Sequence, residues 1–163
     1  EKQSYAANEF RNDFVKSGAL AVPLRVFDNA DSHTAEAAAA AADALKQLLV
    51  NSPVASEQFY QVGGSKLLLK FLSIHVDSGV AVRSGLAALA VVAQSETIRE
   101  TIVHPGLPHT LTTLNTILRV ADAVVLQDAD IAAQACLAVG CLSAFPIQAN
   151  QDTMRNSIDR GIL

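Results

Sequence analysis

The stretch Phe14-Val-Lys-Ser-Gly18-Ala-Leu-Ala-Val-Pro-Leu24-Arg-Val-Phe27 returns, shifted by 45 positions, as Phe59-Tyr-Gln-Val-Gly63-Gly-Ser-Lys-Leu-Leu-Leu69-Lys-Phe-Leu72. Phe14 meets Phe59, Gly18 meets Gly63, Leu24 meets Leu69, Arg25 meets Lys70 and Phe27 meets Leu72. A third copy follows 43 positions on, Ile102-Val-His-Pro-Gly106-Leu-Pro-His-Thr-Leu111-Thr-Thr-Leu114-Asn, and a fourth opens as Ile158-Asp-Arg-Gly161-Ile-Leu163. A period of this length marks a repeat architecture. One unit cannot bury its apolar face alone, and stability comes from stacking neighbours.

The second part of each unit repeats as well. Ala41, Ala44, Leu45 and Leu48 are matched by Gly85, Ala88, Leu89 and Val92, and again by Ala135, Ala138, Val139 and Leu142. The i, i+3, i+4, i+7 spacing places each set on one face of a helix. The first member is alanine or glycine every time, which lets another helix approach closely. Each unit therefore reads as a short helix, a glycine corner, a second helix, a polar loop and a longer third helix. The predicted helices are 8–17, 20–28 and 34–50, then 53–62, 65–75 and 79–94, then 96–104, 108–126 and 130–145.

Local signals agree with these boundaries. Glycine at the corner tolerates φ > 0, which a sharp helix-to-helix turn often needs. Pro53 opens a predicted helix, Pro105 and Pro108 flank a corner, and Pro23 falls slightly inside the second helix. The loop Asp28-Asn-Ala-Asp-Ser-His-Thr34 is rich in capping residues, and Asp128 and Asp130 stand before the last third helix.

Composition points the same way. Half of the 163 residues are apolar (50%), but only 5% are aromatic and there is no Trp, so the core must be built from Ala, Leu, Val and Ile. The run Ala35–Ala42 is nearly all alanine, the best helix former, whereas strands lean on β-branched and aromatic residues. The expectation is an all-α chain.

These residues resemble the armadillo repeat: a glycine corner after an apolar pair, a leucine-rich second helix, and a third helix with small-x-x-small-leucine spacing. The resemblance covers nearly the whole chain. It implies a right-handed α-solenoid of stacked three-helix repeats, with units at about 8–52, 53–95 and 96–150 and the start of a fourth at 151–163. It also implies that the solenoid continues past Leu163. Two-helix repeats of the HEAT type are the near neighbour but lack this glycine corner.

In armadillo proteins the third helices line a concave groove that receives a peptide or helix of another protein. Members that read extended peptides carry asparagine there, and some add tryptophan one turn earlier. On the aligned stripe the asparagine positions fall on Gln47, Val91 and Cys141, and the tryptophan positions on Asp43, Ala87 and Leu137. No asparagine or tryptophan remains, which argues against a reader of basic signals. The resemblance therefore implies a groove of Asp43, Gln47, Arg83, Ala87, Val91, Leu137, Cys141 and Phe145, with an amide at Gln47 and a guanidinium at the edge from Arg83. The segment Ile131–Phe145 is apolar nearly all round, with Gln134 and Ser143 as its polar interruptions. This expresses either stacking on both sides or a groove for an apolar or amphipathic segment.

Other chemistry is scarce. The net charge is −4 with no long run of one sign, so the basic stripe of a nucleic-acid binder is missing and anionic membranes are not favoured. Apolar runs stop short of the ~20 residues of a membrane span, and no leader opens the chain. Phosphate loops and nucleophile elbows are absent, and Ser17-Gly18 and Gly63-Gly64-Ser65 are explained by the repeat. His33, His75, His104 and His109 read as surface loop residues, since their spacing fits no usual zinc pattern. Cys136 and Cys141 diverge by about 140° on a helix, so they read as buried, unpaired thiols in a reducing compartment. No metal, cofactor or enzymatic activity is expected.

One irregularity stands out. Gly63 to Gly106 spans 43 residues and Gly106 to Gly161 spans 55. Leu111, Leu114, Leu118, Ala121 and Val125 keep helical spacing, so the extra length reads as a longer second helix. The functional expectation is an adaptor or scaffold that binds a partner protein along the groove, in a cytoplasmic setting, with nuclear, cytoskeletal or ciliary sites also open. The alternatives are a structural element of a large cytoskeletal or ciliary assembly, or an armadillo regulator associated with chaperones or small GTPases.

Overall fold

The computed structural model describes residues 2–95, 98, 99, 102, 119 and 129–143. Among them the regular structure is helical, with no strand. Helix α1 runs Lys2–Lys16, α2 Ala21–Asp28, α3 Ala35–Leu49, α4 Pro53–Gln61, α5 Gly64–Ile74, α6 Gly79–Val92 and α7 Ala129–Ser143, and a 3₁₀ turn occupies Ala30–Ser32 between α2 and α3. The predicted helices of the first two units are thus matched to within a few residues, except that α1 starts at Lys2 rather than at residue 8. Nothing in residues 2–8 breaks a helix.

Packing follows the repeat. Helix α1 lies against α4, α2 against α5, α3 against α6, and α6 against α7, while α2 and α5 also rest on α3 and α6. Each helix thus touches its counterpart in the neighbouring unit, an arrangement compatible with an α-solenoid. No helix among the described residues is long and apolar enough to cross a membrane.

The corners are built as the glycines suggest. Gly18 has φ 94° and Gly63 φ 67°, a left-handed conformation that costs a residue with Cβ roughly 1–2 kcal/mol. Hydroxyls start the helices. Thr34 Oγ1 accepts from the Ala37 amide at 3.3 Å, Ser52 Oγ from the Ala55 amide at 3.2 Å and Ser78 Oγ from the Ala81 amide at 3.5 Å. Pro53 is at the start of α4. Pro23 lies in the first turn of α2, where its missing N–H deprives no helical bond.

The core is continuous through both complete units. Phe27, Leu45, Phe59, Leu68, Phe71, Leu72, Leu86 and Leu89 are fully buried, and Ile131, Ala138 and Leu142 of α7 join them. Of the predicted stripes, Gly85, Ala88, Leu89 and Val92 are all buried, but Ala44 is exposed. Close approach is evident at Gly85, where an added Cβ would stand 2.5 Å from Leu72 Cδ2 and 2.6 Å from Phe71 Cε1.

One equivalence fails. Phe59 is buried whereas Phe14 is 53% exposed. The ring of Phe59 lies over Gly64, where a Cβ would come within 2.4 Å of it; the matching position in the first unit is Ala19, which carries that methyl. Phe27 and its repeat counterpart Leu72 are both fully buried, and the Phe27 ring stacks on that of Phe71 with centroids 5.0 Å apart.

Polar ties between units add to the shared apolar core. The Arg11 guanidinium donates to the Val50 carbonyl at 2.7 Å, and Ser52 Oγ donates to Asn12 Oδ1 at 2.8 Å, so α1 grips the turn that opens the second unit. Lys70 Nζ donates to the Asp28 carbonyl at 2.6 Å, placing a cation at the C-terminus of α2 where the helix dipole favours it.

The expected second helix 108–126, apart from the helical and exposed Arg119, lies outside the described residues, as do Pro105, Gly106, Pro108, His104, His109, Asp128, Phe145 and the fourth unit at 151–163.

Candidate partner-binding face

The third helices α3, α6 and α7 pack in a row. Ala38, Ala42, Leu45 and Leu49 of α3 and Ile131, Ala135, Ala138 and Leu142 of α7 form buried stripes, whereas α6 between them is buried on most sides, with Val82, Leu86, Leu89 and Val92 its largest buried residues. The groove positions transferred from the sequence lie off these stripes. Asp43, Gln47, Arg83 and Leu137 are exposed, and Ala87, Val91 and Cys141 are half-buried. Phe145 lies outside the described residues.

On α7 the result separates two roles. Ile131, Ala135, Ala138 and Leu142 recur at helical spacing and are buried, yet Leu137 is 51% exposed. Leu137 thus stands with Phe10, Phe14, Val22, Tyr60, Val62 and Val80 among the exposed large apolar residues.

The cysteines correct the sequence reading. Cys136 is exposed and Cys141 half-buried, and both are free thiols. Cys136 follows Ala135 by one residue and therefore points about 100° away from the buried stripe. His75 also departs from expectation. It closes α5, is half-buried, and its ring lies 5.5 Å from that of Phe71.

Asp43 has a structural connection that the alignment did not reveal. Ser84 Oγ, in α6 and nearly buried, donates to Asp43 Oδ2 at 3.1 Å, while Lys46 Nζ stands 3.7 Å from Asp43 Oδ1. The available signal was Ser84 itself, a hydroxyl in the apolar run Gly79–Val92.

Two open clefts flank the helices. One, of about 550 Å³, lies where α3 and α6 end beside α4 and is lined by Leu49, Asn51, Pro53, Tyr60, Val91 and Ile98 among others. Val91 is the groove residue that reaches it. The other, of about 670 Å³, lies between α2 and α5 and the two glycine corners, and no residue of a third helix lines it. The described residues hold no group of three or more His, Cys, Asp or Glu placed to bind a metal.

No protein-family model, no curated protein and no solved structure matches the chain.

Proposed function

We propose that the chain is a protein–protein interaction module of the armadillo type, a right-handed solenoid of three-helix repeats that binds a segment of a partner protein along the face of its third helices. The observation that carries this reading is the exposure of Leu137, with Ala87 and Val91 half-buried, on third helices that pack in a row. A preformed helical face needs little reorganisation, so affinity comes from buried apolar area, with Gln47 and Arg83 supplying polar contacts at its edge. The partner segment is apolar or amphipathic. The proposal includes no cofactor and no catalysis. Free thiols at Cys136 and Cys141 suit the reducing cytoplasm.

The test is Val91→Glu combined with Cys141→Glu, shown by circular dichroism to stay helical, against the parent in affinity capture from native extract. Loss of the parent's partners by the folded variant supports the groove. Retention of the same set removes it.

A second reading, a structural element of a larger assembly, is favoured by a different observation. Phe10 and Phe14 on α1 are 74% and 53% exposed, and their rings stack with centroids 6.3 Å apart. In that reading Phe10→Ser with Phe14→Ser abolishes self-association or incorporation, as judged by sedimentation, while the groove variant does not.

A further inference from the structure

We infer that the cleft between α2 and α5 is a second docking site, one that takes an acidic, apolar segment of a partner protein. The cleft has a leucine floor: Leu20 and Leu24 are buried, Leu67 is half-buried, and Val62 at its mouth is 57% exposed. Its rim is cationic. Arg25 and Lys66 both line it, both are exposed, and among the described residues neither is in an ion pair.

The wider balance is the same. Helix α5 carries Lys66 and Lys70 and no acidic residue, and α2 carries Arg25 against Asp28. This excess of cations belongs to a chain whose net charge is −4. Asp28 lines the cleft too, and its backbone carbonyl holds the Lys70 ammonium at 2.6 Å. Two short helices that set the exposed Arg25 and Lys66, against the single carboxylate of Asp28, beside a leucine floor complement carboxylates flanking an apolar side chain. A nucleic acid would use the charge and leave the leucines unread, because phosphate contacts gain nothing from an apolar floor. The site is independent of the third-helix face.

The probe is a fluorescein-labelled model peptide of leucine and glutamate at helical spacing, followed by fluorescence anisotropy and by amide shift mapping on the ¹⁵N-labelled protein. Its counterpart with lysine in place of glutamate is the control. The inference expects the acidic peptide to bind, more tightly as salt is lowered, with shifts centred on Leu24, Val62 and Leu67. Arg25→Glu with Lys66→Glu should weaken it roughly tenfold, since each reversal removes an attraction and adds a repulsion. Both residues are exposed, and Arg25→Gln with Lys66→Gln repeats the test with a gentler change. The Val91→Glu, Cys141→Glu protein should bind the peptide as the parent does. Equal binding of the lysine peptide, no binding of the acidic one, shifts on α3, α6 or α7, or unchanged affinity in both rim variants would each overturn the inference. So would binding of heparin or of phosphatidylserine vesicles that produces the same shifts as the peptide.

Discussion

The rings of Phe27 and Phe71 stack in the interior, 27° from parallel with centroids 5.0 Å apart, and join the second helix of one unit to the second helix of the next. Both are fully buried. The pair is part of the apolar core shared by the two units. Phe71→Ala should therefore lower stability by about 3–5 kcal/mol, measured by urea unfolding monitored at the helical dichroism band. A loss below about 1 kcal/mol would mean that the leucines alone hold the interface.

Gly85 of α6 packs against the same Phe71 from within its own unit. Alanine is the better helix former, and in an open helix Gly→Ala gains about 0.5–1 kcal/mol. Here the new methyl would meet Leu72 Cδ2 at 2.5 Å and Phe71 Cε1 at 2.6 Å. Overpacking of a filled core costs about 1–3 kcal/mol, so sterics outweigh propensity and Gly85→Ala should lower the melting temperature. A rise would show that α5 and α6 can part without penalty.

Much of this was legible from two kinds of signal. The glycine corners and the small-x-x-small-leucine stripes located the helices because both express backbone geometry, which sequence reports directly. Gly18 and Gly63 do take positive φ, and the stripe of α6 is buried as spaced. What sequence did not report is which copies of a repeated residue are equivalent in burial. Phe14 and Phe59 occupy the same place in the alignment, yet Phe59 lies over Gly64 where the first unit has Ala19, and the two rings differ in burial. Cys136 and Cys141 look alike as small apolar residues, but burial on α7 is decided by angle, and one residue of offset turns Cys136 outward. The groove positions came from a resemblance, so their side-chain partners, above all Ser84 to Asp43, were beyond its reach.

Ser52 combines two bonds at the junction of the first and second units. Its Oγ accepts from the Ala55 amide at 3.2 Å, capping α4, and donates to Asn12 Oδ1 at 2.8 Å. Thr34 caps α3 through its Oγ1 at an exposed site. Replacing a cap by alanine typically costs about 1 kcal/mol, which is the expectation for Thr34→Ala. Ser52→Ala also strands the Asn12 carbonyl in a part-buried setting, so its cost should be larger, about 2 kcal/mol. Denaturation of the two variants side by side distinguishes them. Equal losses would mean that water replaces the Asn12 contact.

The bond from Ser84 to Asp43 makes an asymmetric prediction on the proposed binding face itself. Ser84 is only 7% exposed, so its hydroxyl depends on Asp43 for a partner, while the Asp43 side chain is 55% exposed and has Lys46 beside it. Removing the carboxylate in Asp43→Ala leaves a buried hydroxyl unpaired, at a cost of about 1–3 kcal/mol. Removing the hydroxyl in Ser84→Ala leaves the carboxylate in contact with water and Lys46, and adds a good helix former to α6. That variant should be close to neutral. In the double variant neither partner is stranded, so it should recover most of the loss of Asp43→Ala, which a double-mutant cycle measures directly. The outcome bears on function, because an Asp43 substitution that weakens partner capture could act by loosening α3 from α6. If Asp43→Ala proves neutral in stability, its effect on capture can be assigned to the partner contact instead.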